Sequence, residues 1–247
     1  MITKLILVGK NEGLLALFKK SAMYFLPAAV SRRRKLRQVL DITDTKSRFE
    51  QIYAQNLWGD QGSRSGPGSN LAATENLRSA LPGLLKRYDI KTVLDVPCGD
   101  YHWMSHVIKA NPQINYLGGD IVASMIACNN EAFGAHNVNF DLIDLTADDL
   151  PDADLLIVRD CLFHLSFADI AKVKTNIKRS KIKYLLTTTH IVDNDYKNHD
   201  IATGGFRLIN IFTEPLLFGG AVLERITDHS PTEQPREMCL LEVALVD

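Results

Sequence analysis

The chain has 247 residues, of which 46% are hydrophobic and 23% charged, as is typical of a globular protein. This length is enough for one large α/β domain with a sizeable core and an extension at the amino terminus. The net charge is −1. Because no surplus of Lys and Arg is available to neutralise phosphates, we expect no nucleic-acid partner.

The four cysteines, Cys98, Cys128, Cys161 and Cys239, form no CxxC pair and have no His at metal-ligand spacing. A disulfide framework or a zinc site is therefore not expected, no metal is predicted, and the pattern fits a reducing cytoplasm. Cys98 lies inside a motif described below, and we interpret it as a small side chain that packs in that turn without a chemical role.

The first residues do not resemble a signal peptide, because Lys4, Lys10 and Glu12 interrupt the apolar positions. Within residues 14–37, an apolar run too short to cross a bilayer precedes a cluster of Arg and Lys. Such a stretch either lies on a membrane surface or packs on the domain as a helix with a solvated basic end. We favour the second interpretation.

Residues 1–70 are predicted to form a helical extension that ends in a loop. Aromatic and apolar residues recur at helical spacing over residues 49–58, and a segment rich in Gly, Ser and Pro follows at 59–69. Ser69 or Asn70 is expected to cap the next helix, which is expected to break or restart at Pro82.

Residues 71–247 are predicted to form the main domain, in which strands alternate with helices. This alternation indicates right-handed βαβ units and a parallel sheet. Two final strands, joined by a turn at 230–235, predict an antiparallel hairpin. The predicted fold class is a doubly wound, Rossmann-like α/β sheet in three layers. The predicted strands are 91–96, 115–119, 137–143, 153–158, 182–188, 222–227 and 238–246, and the predicted helices are 101–110, 121–133 and 167–178.

A sheet of this kind binds ligands at the carboxyl ends of its strands. Asp95 ends the first strand, and Gly99 in the following turn lets the backbone approach a ligand closely. Asp120 follows the second strand, where a carboxylate offers acceptor oxygens to a pair of ribose hydroxyls. Asp144 follows the third strand and precedes Leu145, a pair that suits the amino group and the flat face of an adenine.

These acids at successive strand ends resemble the motifs of the class I methyltransferases that use S-adenosylmethionine, over roughly residue 71 to the carboxyl terminus. The resemblance implies that Asp95 and Gly99 belong to the turn that binds the methionine moiety. It implies that Asp120 contacts the ribose and Asp144 the adenine. Asp160, after the fourth strand, matches the segment that faces the methionine moiety and the acceptor.

The resemblance implies S-adenosyl-L-methionine as the cofactor. Pro97 and Tyr101 depart from the family pattern, because glycine is usual at both positions. The loop Ser63–Ser69 is predicted to close over the cofactor, since its glycines are adaptable and it precedes a helix amino terminus that favours a carboxylate; a plain linker is the alternative. With Arg64 of this loop, the candidate cofactor contacts are Asp95, Pro97, Cys98, Gly99, Asp120, Ile121, Asp144, Leu145 and Asp160.

A finer resemblance rests on residues 49–69, on Asp95–Asp100 with Trp103 and Met104, and on residues 200–211. These segments resemble a subgroup of bacterial methyltransferases associated with O-antigen and other surface polysaccharides. The resemblance implies polysaccharide biosynthesis and O-methylation of a sugar.

Methyl transfer to a hydroxyl is an in-line displacement that benefits from a base with a pKa near neutrality. His164 follows the fourth strand beside Asp160, and His190 ends the fifth strand; either imidazole is a candidate base. The catalytic candidates are therefore His164, His190 and Asp160. Arg207 and Asn210 share a face if their segment is helical, and we expect them to bind the acceptor.

Two other hypotheses remain open. A nucleotide-binding oxidoreductase of related fold is disfavoured, because the first turn lacks G-x-G-x-x-G. A non-catalytic S-adenosylmethionine-binding module is the second, since a fold does not license activity. The sequence Arg159–Leu162 argues against N-methylation of nucleic-acid bases. A metal-assisted site could use Asp160, Asp193, Asn194 and Asp195, but the sequence does not favour it.

Overall fold

The computed structural model describes residues 32, 34–229 and 234–243. Most of the stretch 14–37 and of the turn at 230–235 lies outside the described residues. Residues 34–40 are helical, and 3₁₀ helices cover Pro67–Ser69 and Leu162–His164. The strands are β1 (Thr92–Asp95), β2 (Asn115–Asp120), β3 (Val138–Leu142), β4 (Leu155–Val158), β5 (Tyr184–His190), β6 (Val222–Thr227) and β7 (Arg236–Glu242), and the other helices are α1 (Thr45–Ala54), α2 (Glu75–Arg87), α3 (Met104–Ala110), α4 (Ala123–Phe133) and α5 (Phe167–Arg179).

The seven strands form one sheet in the order β3-β2-β1-β4-β5-β7-β6. The pairings among β1 to β5 are parallel, whereas β7 is antiparallel to both β5 and β6. The predicted fold class, including the antiparallel hairpin, is confirmed. The chain runs outward from β1 to β3 and then returns to place β4 on the other side of β1. This reversal opens a crevice at the carboxyl ends of β1 and β4.

Two hydrophobic clusters cover the two faces of the sheet. Neighbouring strand residues belong to different clusters, as Val93 and Leu94 do, because successive side chains point to opposite faces. Helix α5 packs on one cluster through Ile170, Val173 and Ile177, while α2 and α3 pack on the other. The three-layer arrangement therefore follows from central strands such as β4 (Leu155–Val158), whose residues are apolar on both faces.

Three local predictions were wrong. Helix α2 is continuous through Pro82, because the leucines of one helix face are buried and outweigh the single hydrogen bond that proline removes. The helix predicted from Tyr101 begins only at Met104, since Tyr101 has a φ of 56°, outside the helical region. Asn70 does not cap α2: its Oδ1 accepts a hydrogen bond from Ala73 N in the turn before the helix. The N-cap residue of α2 is Thr74.

No helix in the described part of the chain is both long and apolar enough to cross a membrane.

Candidate functional site

A cleft of about 1010 Å³, its open mouth included, lies at the carboxyl ends of β1 to β4. Its position at the reversal of strand order is the one that a doubly wound sheet offers to a ligand. Most of the predicted site residues line it: Asp95, Pro97, Cys98, Gly99, Asp120, Ile121, Asp144, Leu145, Asp160 and His164. Four predicted residues do not line it: Arg64, His190, Arg207 and Asn210.

The turn after β1 requires glycine at position 99. Gly99 has a φ of 57°, and a Cβ there would collide with Ser65 Oγ. Just before the turn, Asp95 is 2% exposed and accepts a hydrogen bond from the Tyr116 hydroxyl at 2.8 Å. Burial raises the pKa of Asp95 to about 7, although the Tyr116 hydrogen bond opposes this effect.

Asp120 is a buried acceptor at the end of β2. Gly99 N donates to its Oδ2 at 3.2 Å, and Val122 N donates to its Oδ1 at 3.1 Å. Each carboxylate oxygen has two lone pairs, so both oxygens keep acceptor capacity for a ligand. Burial raises the pKa of Asp120 to about 6, and the hydrogen bonds from these backbone amides oppose the shift.

The end of β3 forms an apolar wall with one acid. Asp144 Oδ1 accepts hydrogen bonds from Thr146 N at 2.8 Å and from Thr146 Oγ1 at 2.7 Å. Leu145 and Ile143 line the cleft beside it, and Met125 lines it from α4. The wall therefore combines apolar surface with a carboxylate held by hydrogen bonds, and the adenine contact stays a prediction.

Asp160 belongs to a buried group of four charges that includes Arg159, Asp228 and Arg236; we call it the charge quartet. Arg159 donates to both oxygens of Asp228, at 2.8 and 3.0 Å, and to Gly68 O at 2.8 Å. Arg236 Nε lies 3.2 Å from Asp160 Oδ1, and Arg159 Nη1 lies 3.4 Å from Asp160 Oδ2. The quartet thus ties the end of β4 to the hairpin strands and to the loop before α2.

The quartet also sets the charge of Asp160. Burial alone would raise the pKa of this carboxyl, but the guanidinium groups of Arg159 and Arg236 hold it below its usual value. Burial raises the pKa of Asp228 to about 6, against the opposing effect of Arg159. Asp160 is therefore a permanent negative charge on the wall of the cleft.

His164 lines the cleft, and its hydrogen bonding fixes its tautomer. Its Nδ1 lies 2.5 Å from Gly205 O. A carbonyl oxygen only accepts, so Nδ1 carries the proton in the neutral ring and Nε2 keeps a lone pair. Burial lowers the pKa of His164, with the Gly205 carbonyl and Asp160 opposing the shift. The side chain is therefore a neutral imidazole with one free acceptor nitrogen at neutral pH.

His190 has the opposite arrangement. Ile209 N donates to His190 Nδ1 at 3.1 Å, so in the neutral ring the proton lies on Nε2. Burial lowers the pKa of His190 to about 4, although the charge of Asp160 opposes this effect. At neutral pH, therefore, His190 has no nitrogen lone pair left to accept a proton.

The segment from 201 to 210 is not helical, so the shared face expected for Arg207 and Asn210 is wrong. Asn210 Oδ1 accepts from Phe212 N in a turn, and Arg207 is 2% exposed and donates to Leu165 O at 2.6 Å. The backbone of the segment pairs with that of the 3₁₀ helix, through Gly204 N to His164 O at 2.7 Å. The segment therefore positions His164, and the acceptor-binding role of Arg207 and Asn210 stays a prediction without its helical basis.

Helix α1 covers one side of the cleft, a feature that the sequence did not reveal. Phe49, Tyr53 and Trp58 line the cleft. Glu50, on the same helix, accepts hydrogen bonds from Ala123 N at 2.7 Å and from Ser124 Oγ at 2.9 Å, and so caps the amino terminus of α4. The helical spacing of the aromatic residues predicts the helix, but it does not reveal that the helix packs beside the cleft. Ser65 and Ser69 of the predicted loop also line the cleft, and the other lining residues that were not singled out from the sequence are Thr45, Val96, Trp103, Val122, Met125, Ile143, Thr146, Arg159, Cys161 and Leu165.

The loop Ser63–Ser69 is bonded to the turn after β1. Asp100 accepts hydrogen bonds from Ser63 Oγ at 2.9 Å and from Arg64 N at 2.9 Å. Asp100 N donates to Ser65 Oγ at 2.8 Å. The Arg64 side chain is exposed, with its guanidinium 5.4 Å from the centroid of the Tyr53 ring. The loop thus borders the cleft through Ser65 and Ser69, and Arg64 lies against a lining residue.

Metal-ligating residues do not cluster in the described part of the chain: no group of three or more His, Cys, Asp or Glu is arranged to hold an ion.

No family model matches the chain, and no curated protein sequence does. Solved structures are similar in fold. An O-methyltransferase family protein from Burkholderia thailandensis has a TM-score of 0.57 and 14% identity, over 87% of this chain and 69% of that protein. The pyocyanin biosynthetic protein PhzM has a TM-score of 0.53 and 14% identity, over 70% of this chain and only 56% of its own.

The methyltransferase domain of a bacterial Hen1 protein, CtHen1, has a TM-score of 0.52 and 14% identity, over 69% of this chain and 98% of the domain. All three similar structures are named as methyltransferases or as biosynthetic proteins of small molecules. At these identities the similarity establishes the fold, and the chain has the Rossmann-like methyltransferase fold.

The charge quartet generates a stability prediction. Asp228→Ala removes the bidentate partner of Arg159 and leaves a buried guanidinium without its main counter-charge. We expect a loss of about 3–5 kcal/mol in the free energy of unfolding, measured by urea denaturation. The matched control is Asp152→Ala, which breaks the exposed ion pair with Lys181 and should cost at most about 1 kcal/mol. Equal losses in the two variants would contradict this account of the quartet.

Proposed function

We propose that the chain is an S-adenosyl-L-methionine-dependent methyltransferase that methylates a hydroxyl group of a small molecule, with His164 as the base. The observation that carries the proposal is the convergence of Asp120, Asp160 and the neutral imidazole of His164 on one cleft. The acceptor is either a sugar, as the subgroup resemblance implies in the context of polysaccharide biosynthesis, or another hydroxyl compound. A cytoplasmic location and the absence of a nucleic-acid partner belong to the same proposal.

The residues of the cleft fit this cofactor. The free lone pairs of Asp120 suit a ribose diol, and the apolar wall at Leu145 and Met125 suits an adenine face. Gly99 lines the cleft, and its positive φ together with the contact to Ser65 Oγ leaves no room for a side chain, so its backbone borders the ligand space directly. When bound, the cofactor supplies an electrophilic methyl group on a sulfonium sulfur.

His164 is suited to accept the proton of the hydroxyl. Its Nε2 lone pair is available, and the Gly205 carbonyl holds the ring in that tautomer. Taking up the proton creates an imidazolium, which the permanent charge of Asp160 stabilises. His190, whose Nδ1 is already bonded to Ile209 N, lacks this capacity and is better described as a structural residue.

The proposal is tested first by calorimetric titration of the protein with S-adenosylmethionine, S-adenosylhomocysteine and NAD. Binding of the first two without NAD supports it. Binding of NAD alone would support the oxidoreductase hypothesis. Release of S-adenosylhomocysteine in a panel of hydroxyl compounds then separates an enzyme from a binding module.

His164→Gln is expected to lower turnover on the order of 10²- to 10⁴-fold, the usual contribution of a positioned base. Affinity for S-adenosylhomocysteine should stay close to that of the wild type, because the lost group acts on the acceptor. His190→Gln is the matched control and should retain most of the turnover. Full activity of the His164 variant, or equal losses of turnover in the His164 and His190 variants, would contradict the assignment of His164 as the base.

The cofactor affinity is expected to depend on pH through Asp120. Burial raises its pKa to about 6, so the carboxylate accepts two ribose hydroxyls above pH 6 and loses acceptor capacity as it is protonated below. The affinity for S-adenosylhomocysteine should therefore fall as the pH decreases through about 6.

Asp120→Asn is the comparison for this pH dependence. It should cost about 1.5–3 kcal/mol of binding free energy at pH 7.5, as the loss of a hydrogen bond to a charged group does. Its affinity should no longer change around pH 6, and any dependence left near pH 7 would belong to Asp95. An Asp120→Asn protein with wild-type affinity would rule out the ribose contact.

The loop Ser63–Ser69 is expected to become more protected from hydrogen exchange when S-adenosylhomocysteine is bound. It borders the cleft through Ser65 and Ser69 and is bonded to the turn of Gly99 through Asp100. Amides of α5, which packs on the core away from this loop, serve as the internal reference. Equal protection of the loop with and without ligand would exclude closure.

A further inference from the structure

We infer that the methyl acceptor is a planar aromatic hydroxyl compound, a phenol, which stacks on aromatic side chains beside His164. The inference rests on the proposed function, because it names the substrate class of the same site. The inferred acceptor is a phenol and not a sugar. The inference predicts which acceptor compounds bind, and this can be measured without turnover.

Aromatic rings surround the proposed base. The centroid of the His164 ring lies 4.5 Å from that of Phe163, 5.8 Å from that of Trp58 and 6.0 Å from that of Phe206. Phe49 extends the group, with its ring 6.3 Å from Trp58. We call Phe49, Trp58, Phe163 and Phe206 the aromatic rim. Phe49 and Trp58 line the cleft and Phe206 is exposed, so these three rings offer surface to a further ring, whereas Phe163 is buried.

Phe206 is the unusual member of the rim, because 59% of its surface is exposed to water. Its ring contacts Phe163 edge-on at 5.5 Å between centroids, so it belongs to the cluster and is not an isolated surface side chain. An exposed aromatic ring beside a catalytic cleft leaves apolar surface that a flat ligand would bury.

Two polar side chains of the segment 198–210, those of Asn198 and Asp200, are bonded to the backbone of the protein itself. Asn198 Nδ2 donates to the carbonyl oxygens of Asn210 and Thr213, and its Oδ1 accepts from Asn210 N. Asp200 Oδ1 accepts from Phe167 N and Ile201 N. Sugar hydroxyls need several donors and acceptors, and these groups of the 198–210 segment are committed to the backbone.

The weak basicity of His164 also favours a phenol over a sugar as the acceptor. Its pKa is lowered by burial, so the imidazole is a weak base. A phenol, with a pKa of about 10 as in tyrosine, yields its proton to such a base far more readily than an aliphatic alcohol does. As the phenolic oxygen bonds to the methyl carbon, the carbon–sulfur bond breaks and its electron pair stays on sulfur. The phenolic proton passes to His164 Nε2.

The test is calorimetric binding of three probes to the protein saturated with S-adenosylhomocysteine. The probes are 4-methylumbelliferone as the phenol, methyl β-glucopyranoside as the sugar and cyclohexanol as a saturated ring. The phenol is expected to bind at least about tenfold more tightly than either of the others, since only it stacks through a π face. Equal or tighter binding of the glucoside overturns the inference.

Variants locate the binding to the rim. Phe206→Ala should weaken the binding of 4-methylumbelliferone about five- to tenfold, and Phe206→Tyr should restore it because the ring returns. Because Phe206 is exposed, neither change should disturb folding. Phe133→Ala is the matched control, since Phe133 is also an exposed phenylalanine, at 41%, but contacts Tyr101 at the end of α4. Unchanged binding by Phe206→Ala overturns the inference.

Titration with S-adenosylhomocysteine alone distinguishes a failure of the aromatic-acceptor inference from a failure of the proposed function. If the wild type binds it and the phenol does not bind, the aromatic acceptor is wrong and the methyltransferase proposal stands. If S-adenosylhomocysteine does not bind, the proposed function fails and the inference falls with it.

Discussion

The pairing of Arg159 with Asp228 is the interaction on which the site depends. Removing these charges from water costs several kcal/mol for each ion, and only their bidentate contact and the other members of the quartet offset this. The geometry is therefore fixed at both ends: Arg159 follows β4, and Asp228 follows β6. Gly68 is held against the same group, so the loop before α2 shares its position. The quartet makes the hairpin, the central strand and the loop one rigid wall of the cleft.

The acids of the cleft differ in charge because they differ in partners. Asp95 and Asp120 are buried among hydroxyl and amide donors, which do not fully offset the loss of water, so their pKa values are raised. Asp160 faces two guanidinium groups and stays ionised. One end of the cleft therefore suits neutral hydroxyl donors. The other end presents a negative charge beside the neutral imidazole of His164.

Much of the fold and the strand-end acids could be predicted from sequence, because apolar strands and intervening helices leave a local pattern. Asp95, Asp120, Asp144 and Asp160 follow from that pattern, since parallel strands bring their carboxyl ends together. The quartet has no such signal: Arg159 and Asp228 are 69 positions apart. Similarly, the helix that would align Arg207 and Asn210 does not form, because backbone contacts with the 3₁₀ helix hold their segment in an irregular conformation. The continuous helix through Pro82 shows burial prevailing over local propensity.

Glu50 caps the amino terminus of α4, and this contact changes the electrostatics of that helix terminus. The first turn of a helix after a strand is where proteins of doubly wound folds commonly hold a phosphate. Here Ala123 N is already bonded to a carboxylate of the same chain, and Asp120 lies at the end of the preceding strand. A phosphate placed at this helix terminus would meet the carboxylates of Glu50 and Asp120 and an amide that is already bonded. The extension therefore makes this terminus electrostatically unfavourable for a phosphate group.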